Sequence, residues 1–415
     1  MSDFDVVIIG AGSAGIAACR SLLAAGRKVV VLEARSRAGG RAWTVDGPGG
    51  SIIDLGAAWM HSAEQNPMVP LAEKAGSGIS RRNADDWPVR LRHNSLDDNQ
   101  IADFVDNQAR YLARVDRAAQ STDEDRPIAD LLDPDSVWTP LLAAMATWNT
   151  GANPTEVSTT ARRYRSYTGT NWRPEMGYGR VLERLADGLP VVFEARVRQV
   201  DWSGKAIKVV TGDRTFTAAS IIVTVPPSVL ADGGIDFRPA LPAAKARAIA
   251  GLPLGVNNKI YFSLNGTIAG LPDDTHLVGS IKTSATGSYQ IRPMGRPLLE
   301  MFLGADIAKA LETDGEAAMA VFAREEIDGL FGAGTCPELR PVASSRWLSD
   351  PYSRGGYSYA RPGRADERLA LAEPIDGRLF FAGEATSRNW HSTVHGAWGS
   401  GESAAAAISG TAQPR

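Results

Sequence analysis

Residues 5–33 read DVVIIGAGSAGIAACRSLLAAGRKVVVLE, and this stretch decides the fold. The apolar run at 5–9 predicts a strand buried on both faces, and the Ala-rich residues 13–25 predict a helix stopped at Gly26. Residues 28–32 predict a second strand that ends at Glu33. Between strand and helix stand Gly10, Gly12, Ser13 and Gly15 in a G-x-G-x-x-G pattern. The first glycine permits the tight turn, the second lets backbone N–H groups approach a pyrophosphate, and the third lets helix and strand pack closely at the positive end of the helix dipole. Glu33 falls near the ~20-residue spacing at which a carboxylate accepts ribose hydroxyls, and its charge disfavours a 2′-phosphorylated cofactor. Such a glycine pattern alone is often a structural turn. The strand before it, the helix after it and Glu33 together predict a dinucleotide site.

Beyond this unit, residues 61–173 mix amphipathic helical stretches such as 101–119 with polar loops and little strand pattern. Strand character returns at 190–202, 206–211 and 220–225, with turns at Ser203-Gly204 and Gly212-Asp213. Residues 258–264, 276–282, 288–292 and 297–303 form another strand cluster, followed by helical stretches at 307–311 and 316–331. Residues 379–383 and 399–408 again read strand then helix, so the chain is expected to return to its first domain. The expected class is α/β. Segments 1–60, 175–235 and 335–415 are assigned to a Rossmann-like dinucleotide-binding domain, and 61–174 and 236–334 to a discontinuous α+β substrate domain.

At 415 residues, with 44% apolar and 22% charged residues and a net charge of -3, the composition is that of an ordinary globular protein of two or three domains. Basic residues are scattered among acids, so no nucleic-acid partner is expected. Cys19 and Cys336 cannot build a disulfide framework, and nothing reads as a metal site. The start carries Asp3 and Asp5 rather than a basic leader, and no apolar run approaches a membrane span, so a cytoplasmic location without membrane contact is expected.

Residues 35–41, Arg-Ser-Arg-Ala-Gly-Gly-Arg, resemble the second FAD motif of flavin-containing amine oxidases. The resemblance continues in order along nearly the whole chain and is most specific to spermine and acetylpolyamine oxidases. Gly56-Ala57-Ala58-Trp59-Met60-His61 with Asn66-Pro67 looks like the stretch entering the active site. Asn257-Asn258-Lys259-Ile260 resembles the strand carrying the active-site lysine, and residues 350–359 the loop covering the flavin. Phe381-Ala382-Gly383-Glu384, then residues 392–397 and Ser400-Gly401, resemble the C-terminal FAD segment.

The resemblance implies FAD held by Gly10, Gly12, Ser13, Gly15, Glu33, Ala34, Arg35, Gly40, Arg41, Gly56, Ala57, Ala58, Trp59, Val197, Gly383, Glu384, Thr393 and Val394. Within it, Arg41 would face the pyrophosphate, Val197 the adenine, and Glu384 a ribityl or ribose hydroxyl. Monoamine oxidases attach FAD through a Cys in the loop that reads Gly356-Tyr357 here, so noncovalent FAD is expected. Thr393 stands where their second flavin-facing Tyr would be, which leaves Tyr357 and Trp390 as aromatic walls. No coiled-coil insert of the chromatin-acting demethylase kind interrupts the second domain.

The implied reaction moves a hydride from the carbon next to an amine nitrogen to flavin N5, hydrolyses the imine to an aldehyde and an amine, and reoxidises the flavin with O2, giving H2O2. By resemblance, Lys259 would hold a water against flavin N5. Alternation along its strand leaves open that it is a charge on a solvated face. His61 would contact the substrate, or else be a satisfied structural histidine, and His395 would brace its loop. A polyamine substrate would call for carboxylates along its path, with Glu64, Asp85 and Asp86 in the right region. The alternatives are a monoamine or L-amino-acid oxidase, with Arg90, Arg92 or Arg163 meeting a substrate carboxylate, and a dehydrogenase or desaturase using another electron acceptor. A homodimer is compatible with all of them.

Overall fold

The computed structural model describes residues 2–82, 90–121, 124–335 and 338–410. Asp85, Asp86 and Cys336 lie outside the described residues. The opening unit consists of strand β1 (Phe4–Ile9), helix α1 (Ser13–Ala24) and strand β2 (Val29–Leu32), with the two strands parallel. Val6, Ile8, Val29 and Val31 feed one core while Val7, Ile9, Val30 and Leu32 feed another, because alternate side chains leave opposite faces of a sheet covered on both sides. Gly15 is required by proximity: a Cβ there would lie 1.9 Å from the Gly10 carbonyl oxygen.

This pair sits inside an eight-stranded sheet. Thr215–Val223 joins β1 in parallel, and Leu379–Phe381 joins Thr215–Val223 in parallel, so the C-terminal strand returns beside the first unit. Ile207–Val210 and Gln199–Asp201 extend the sheet antiparallel, and Asp236–Arg238 closes that side. The final helix, Val394–Ser409, lies against α1 at small residues, and a Cβ on Gly401 would meet the Ala14 carbonyl oxygen at 2.0 Å.

A second, five-stranded antiparallel sheet orders Thr275–Val278, Ser288–Ile291, Leu298–Gly304, Asn257–Ser263 and Arg340–Ser344. Helices Ala305–Asp314 and Glu316–Phe331 cover its apolar face, packing on Ile260, Phe262, Leu299, Met301 and Leu303. The helical segment contains Asp98–Gln120, opened by an Asp97/Gln100 capping box, and Thr139–Thr150.

Several details depart from expectation. Asp236–Arg238 belongs to the first sheet and Arg340–Ser344 to the second, so the cuts expected after 235 and 334 each fall short by one strand. The 61–174 segment also carries strands Met60–His61, Ile79–Ser80 and Asn171–Pro174, paired over long range and too short to show a period. Residues 190–202 form two short strands, Val191–Val192 and Gln199–Asp201, and the last helix begins at Val394 rather than 399 because Thr393 caps it. Among the described residues no helix is long and apolar enough to cross a membrane, and no group of His, Cys, Asp or Glu could hold a metal ion.

Candidate active site

One cavity of about 930 Å³ lies between the two sheets, near the upper end of the ~300–1,000 Å³ common for ligand sites. Its first half is built from the glycine-rich turn. Gly10, Gly12, Ser13, Glu33, Ala34, Arg35, Gly40, Arg41, Gly56, Ala57, Ala58, Trp59, Val197, Gly383, Glu384, Thr393 and Val394 all line it. Gly15 does not; it packs helix on strand beneath the turn.

The cradle fits a dinucleotide. A Cβ on Gly12 would meet nothing within 4 Å, and no side chain caps the start of α1, which leaves its first turn open to an anion. Glu33 is 4% exposed and accepts from the backbone N–H of Ala11 at 2.7 Å and of Arg35 at 2.9 Å. These bonds fix its carboxylate beside the turn while acceptor positions remain for ribose hydroxyls.

Two expected cofactor contacts take another form. Glu384 accepts from Arg41 Nη1 (2.8 Å), Ser358 N (3.1 Å), Ser358 Oγ (2.6 Å) and Ser392 N (3.0 Å). A carboxylate has about four acceptor sites, so Glu384 is a bracket for the covering loop rather than a free acceptor for a ribityl hydroxyl. Both Arg41 hydrogen bonds leave from Nη1, to Glu384 and to the Gly356 carbonyl, so the charge expected on the pyrophosphate also ties that loop down. Burial would raise the Glu384 carboxyl, but Arg41 and Arg368 hold it below the usual carboxylate range. Sequence reading missed Arg368, although a fully buried guanidinium 2.8 Å from Ser358 Oγ supports the same bracket.

The other half of the cavity is floored by the polar face of the second sheet. Register places Tyr261 opposite Glu300, Lys259 opposite Phe302, and Gln290 between Glu300 and His276, so these side chains share one face. Lys259 is only 7% exposed, which excludes the solvated-face reading. Its Nζ donates to the Asp54 carbonyl at 3.3 Å and pairs with Glu300 at 3.5 Å. Burial lowers its affinity for a proton, with Arg173 adding to this and Glu300 opposing it. Glu300 also pairs with Arg173 at 3.3 Å; burial alone would raise its carboxyl, but Lys259 and Arg173 hold it at about 2. Arg173 in turn stacks 3.8 Å over the Trp59 ring. Glu300 and Arg173 were not singled out from sequence. The available signal was an acid inside the apolar run LLEMFLG, whose partners only the fold reveals.

At the entrance, His61 Nδ1 lies 2.6 Å from Asn171 Oδ1, and Asn171 Nδ2 donates to the Tyr167 hydroxyl at 2.7 Å. Because that amide nitrogen donates, Oδ1 accepts and the His61 proton is assigned to Nδ1. Tyr357 lines the cavity and donates to the Trp148 carbonyl at 2.5 Å. Trp390 is not among the lining residues. It packs 5.3 Å from the His395 ring, so the expected second aromatic wall is replaced by Trp59, Trp148 and Tyr167. His395 meets Asn66 Nδ2 at 3.1 Å, and burial followed by His61 lowers it to about 4.

A model of the flavin containing amine oxidoreductase family matches residues 13–135 and 135–409. The chain is similar to polyamine oxidase 2 of Arabidopsis thaliana, 31% identical over 435 residues, covering 97% of this chain and 87% of that protein. It is also similar to lysine-specific histone demethylase 2 of Homo sapiens, 27% identical over 96% of this chain but spanning only 52% of that protein. Among solved structures, cyclohexylamine oxidase from Brevibacterium oxydans IH-35A shares the fold with a TM-score of 0.80 at 22% identity, over 98% of this chain and 99% of that one. A family match that spans both sheets, on a cavity joining a dinucleotide cradle to a buried lysine, makes this chain a member of the flavin containing amine oxidoreductase family.

Proposed function

We propose that the protein oxidises a small-molecule amine with noncovalently held FAD and passes the electrons to O2. The observation that carries this reading is the single cavity running from Glu33 and Val197, past Gly12 and Arg41, to Lys259. FAD, when bound, accepts a hydride from the carbon next to nitrogen and returns the electrons to O2 as H2O2, while water hydrolyses the product imine to a carbonyl compound.

The chain's own residues bind, orient and desolvate. The reaction needs the nitrogen lone pair, and the cations Arg90, Arg162, Arg165 and Arg173 along the wall disfavour a protonated amine. Asn257 Oδ1 and Gln290 Oε1 are buried on the same wall without a hydrogen-bond partner among the described residues, and each can accept from an amine N–H. Lys259 has two protein acceptors for its three ammonium donors, which leaves one for a water in the cavity. Trp59, Trp148 and Tyr357 exclude bulk solvent. Noncovalent attachment agrees with the cysteine among the described residues, Cys19, which is buried in α1 and away from the lining.

The expected polyamine preference draws less support. Glu33, Glu300 and Glu384 are the lining acids among the described residues, and each already has partners. Glu64 is exposed, off the lining, and accepts from Thr170 at 3.2 Å.

Purified protein should be yellow, lose its flavin band when mixed anaerobically with an amine, and regain it in air with one H2O2 per turnover. Protein that stays colourless after reconstitution with FAD, or a flavin band that no amine bleaches, overturns the reading. Bleaching without H2O2 in air would move the electrons to another acceptor.

A further inference from the structure

We propose that the substrate amine carries a carboxylate, and that Arg165 holds it at the flavin end of the cavity. This rests on the amine-oxidase reading and names its substrate class.

The substrate half of the cavity is cationic. Arg90, Arg162, Arg165, Arg173 and Lys259 line it, and the acid facing them among the described residues is Glu300, shared by Lys259 and Arg173. Arg162 has its own partner, Asp116, at 2.9 Å. Arg165 differs from these. Its guanidinium carbon stands 5.6 Å from the centre of the Tyr167 ring, and no hydrogen bond or ion pair to a described residue holds its side chain. A structural guanidinium so placed collects carbonyls, as Arg163 does from Ala119 O (2.6 Å) and Ser121 O (2.8 Å). Arg163 is therefore committed elsewhere, and Arg92 is exposed away from the lining.

Position strengthens the assignment. The neighbouring Ser166 N–H donates to the Asn389 carbonyl at 2.9 Å, which pins this segment to the loop leading into Thr393. Tyr357 and His391, both on the wall, lie within electrostatic reach of Arg165. Burial and then Arg162 both disfavour its charge, so an anion there relieves two costs at once. The planar guanidinium fork matches a carboxylate in bidentate fashion. A polyamine, by contrast, would bring several like charges to this wall.

The amine loses a C–H hydride and an N–H proton, and the electron pair passes through FAD to O2 as H2O2. Water adds to the C=N bond and expels ammonia, so a carboxylated primary amine, O2 and water give a carbonyl acid, ammonia and H2O2.

The test compares the holoenzyme on matched pairs, L-phenylalanine against 2-phenylethylamine and 6-aminohexanoate against hexylamine, with spermine and putrescine alongside. Benzoate is titrated separately, read by the visible spectrum of bound flavin. The wild type should prefer the carboxylate member of at least one pair by about 10- to 100-fold in kcat/KM, as for a charged hydrogen-bond pair. Arg165→Met should bring that pair near parity through KM and abolish the benzoate response, while Arg165→Lys recovers part of both. Preference for spermine or for the plain amines, or equal losses on both members of a pair in Arg165→Met, overturns the proposal and leaves amine oxidation standing. Benzoate binding that needs Arg165 with no amine oxidised would support the anion subsite and sink the amine-oxidase reading. If Arg165→Met fails to fold, Arg165→Gln and Arg165→Lys decide by the same comparison.

Discussion

Lys259 is the side chain on which the proposed chemistry turns. It is buried, engaged by Glu300 and the Asp54 carbonyl, and aimed from the sheet floor into the cavity. Lys259→Met should keep FAD bound and slow either flavin reduction by amine or reoxidation by O2 by roughly tenfold or more, read by stopped-flow absorbance. Unchanged rates in both half-reactions would remove Lys259 from the mechanism. Glu33 acts at the opposite end. Its removal takes away the acceptor for Ala11 N and Arg35 N, each worth about 1–3 kcal/mol when left unsatisfied, along with the proposed ribose anchor. Glu33→Ala should lower the flavin-to-protein absorbance ratio after gel filtration, and a variant that purifies equally yellow would refute the ribose assignment.

At the scale of elements, the contact between α1 and Val394–Ser409 decides whether the two FAD motifs meet. Ser13 Oγ donates to the Val394 carbonyl at 2.9 Å, and Gly401 approaches Ala14 so closely that no side chain fits between them. Gly401→Leu must push the helices apart, and overpacking of this kind costs about 1–3 kcal/mol or more. The expected result is a lower urea midpoint together with weaker FAD retention, because Thr393 and Val394 move with the helix. A midpoint within error of wild type would mean that the helix pair shifts without cost. The second sheet follows the same logic in polar form. Its period-2 pattern sends Ile260, Phe262, Leu299 and Met301 to the core and Lys259, Tyr261 and Glu300 to the opposite face, where Lys259 and Glu300 line the cavity, so a one-residue slip would exchange the two sets.

The whole molecule carries its charge balance into a pH dependence. His276 is lowered to about 3, first by burial and then by Arg90 and Arg173, and His395 to about 4. Between these values and the ordinary 6.5 the unfolded chain binds protons that the folded chain refuses, so stability falls as the pH drops through that window. Glu300, held at about 2 against an ordinary 4.5, adds stability that is present above 4.5 and lost below it. Asp54, raised by burial, works in the opposite direction. Thermal midpoints of the holoenzyme should therefore fall steadily from pH 7 to pH 4, and His276→Gln should flatten the upper part of that decline. A profile flat over this range would remove the buried histidines from the balance.

Local sequence determined the opening β–α–β unit, the glycine-rich turn and Glu33, because their geometry is written in contiguous residues whose period and spacing need no distant partner. It also marked Lys259, His61 and Tyr357, all of which reach the cavity. Only the tertiary structure decided that Lys259 is buried, that Glu384 is saturated by Arg41, Ser358 and Ser392, and that Trp390 turns away toward His395. It alone brought Arg173 and Glu300, 127 positions apart, into one ion pair, and left Arg165 without one among the described residues. The physical reason is that burial and charge pairing are properties of what surrounds a residue, and those surroundings come from strands and loops that the chain brings together only on folding.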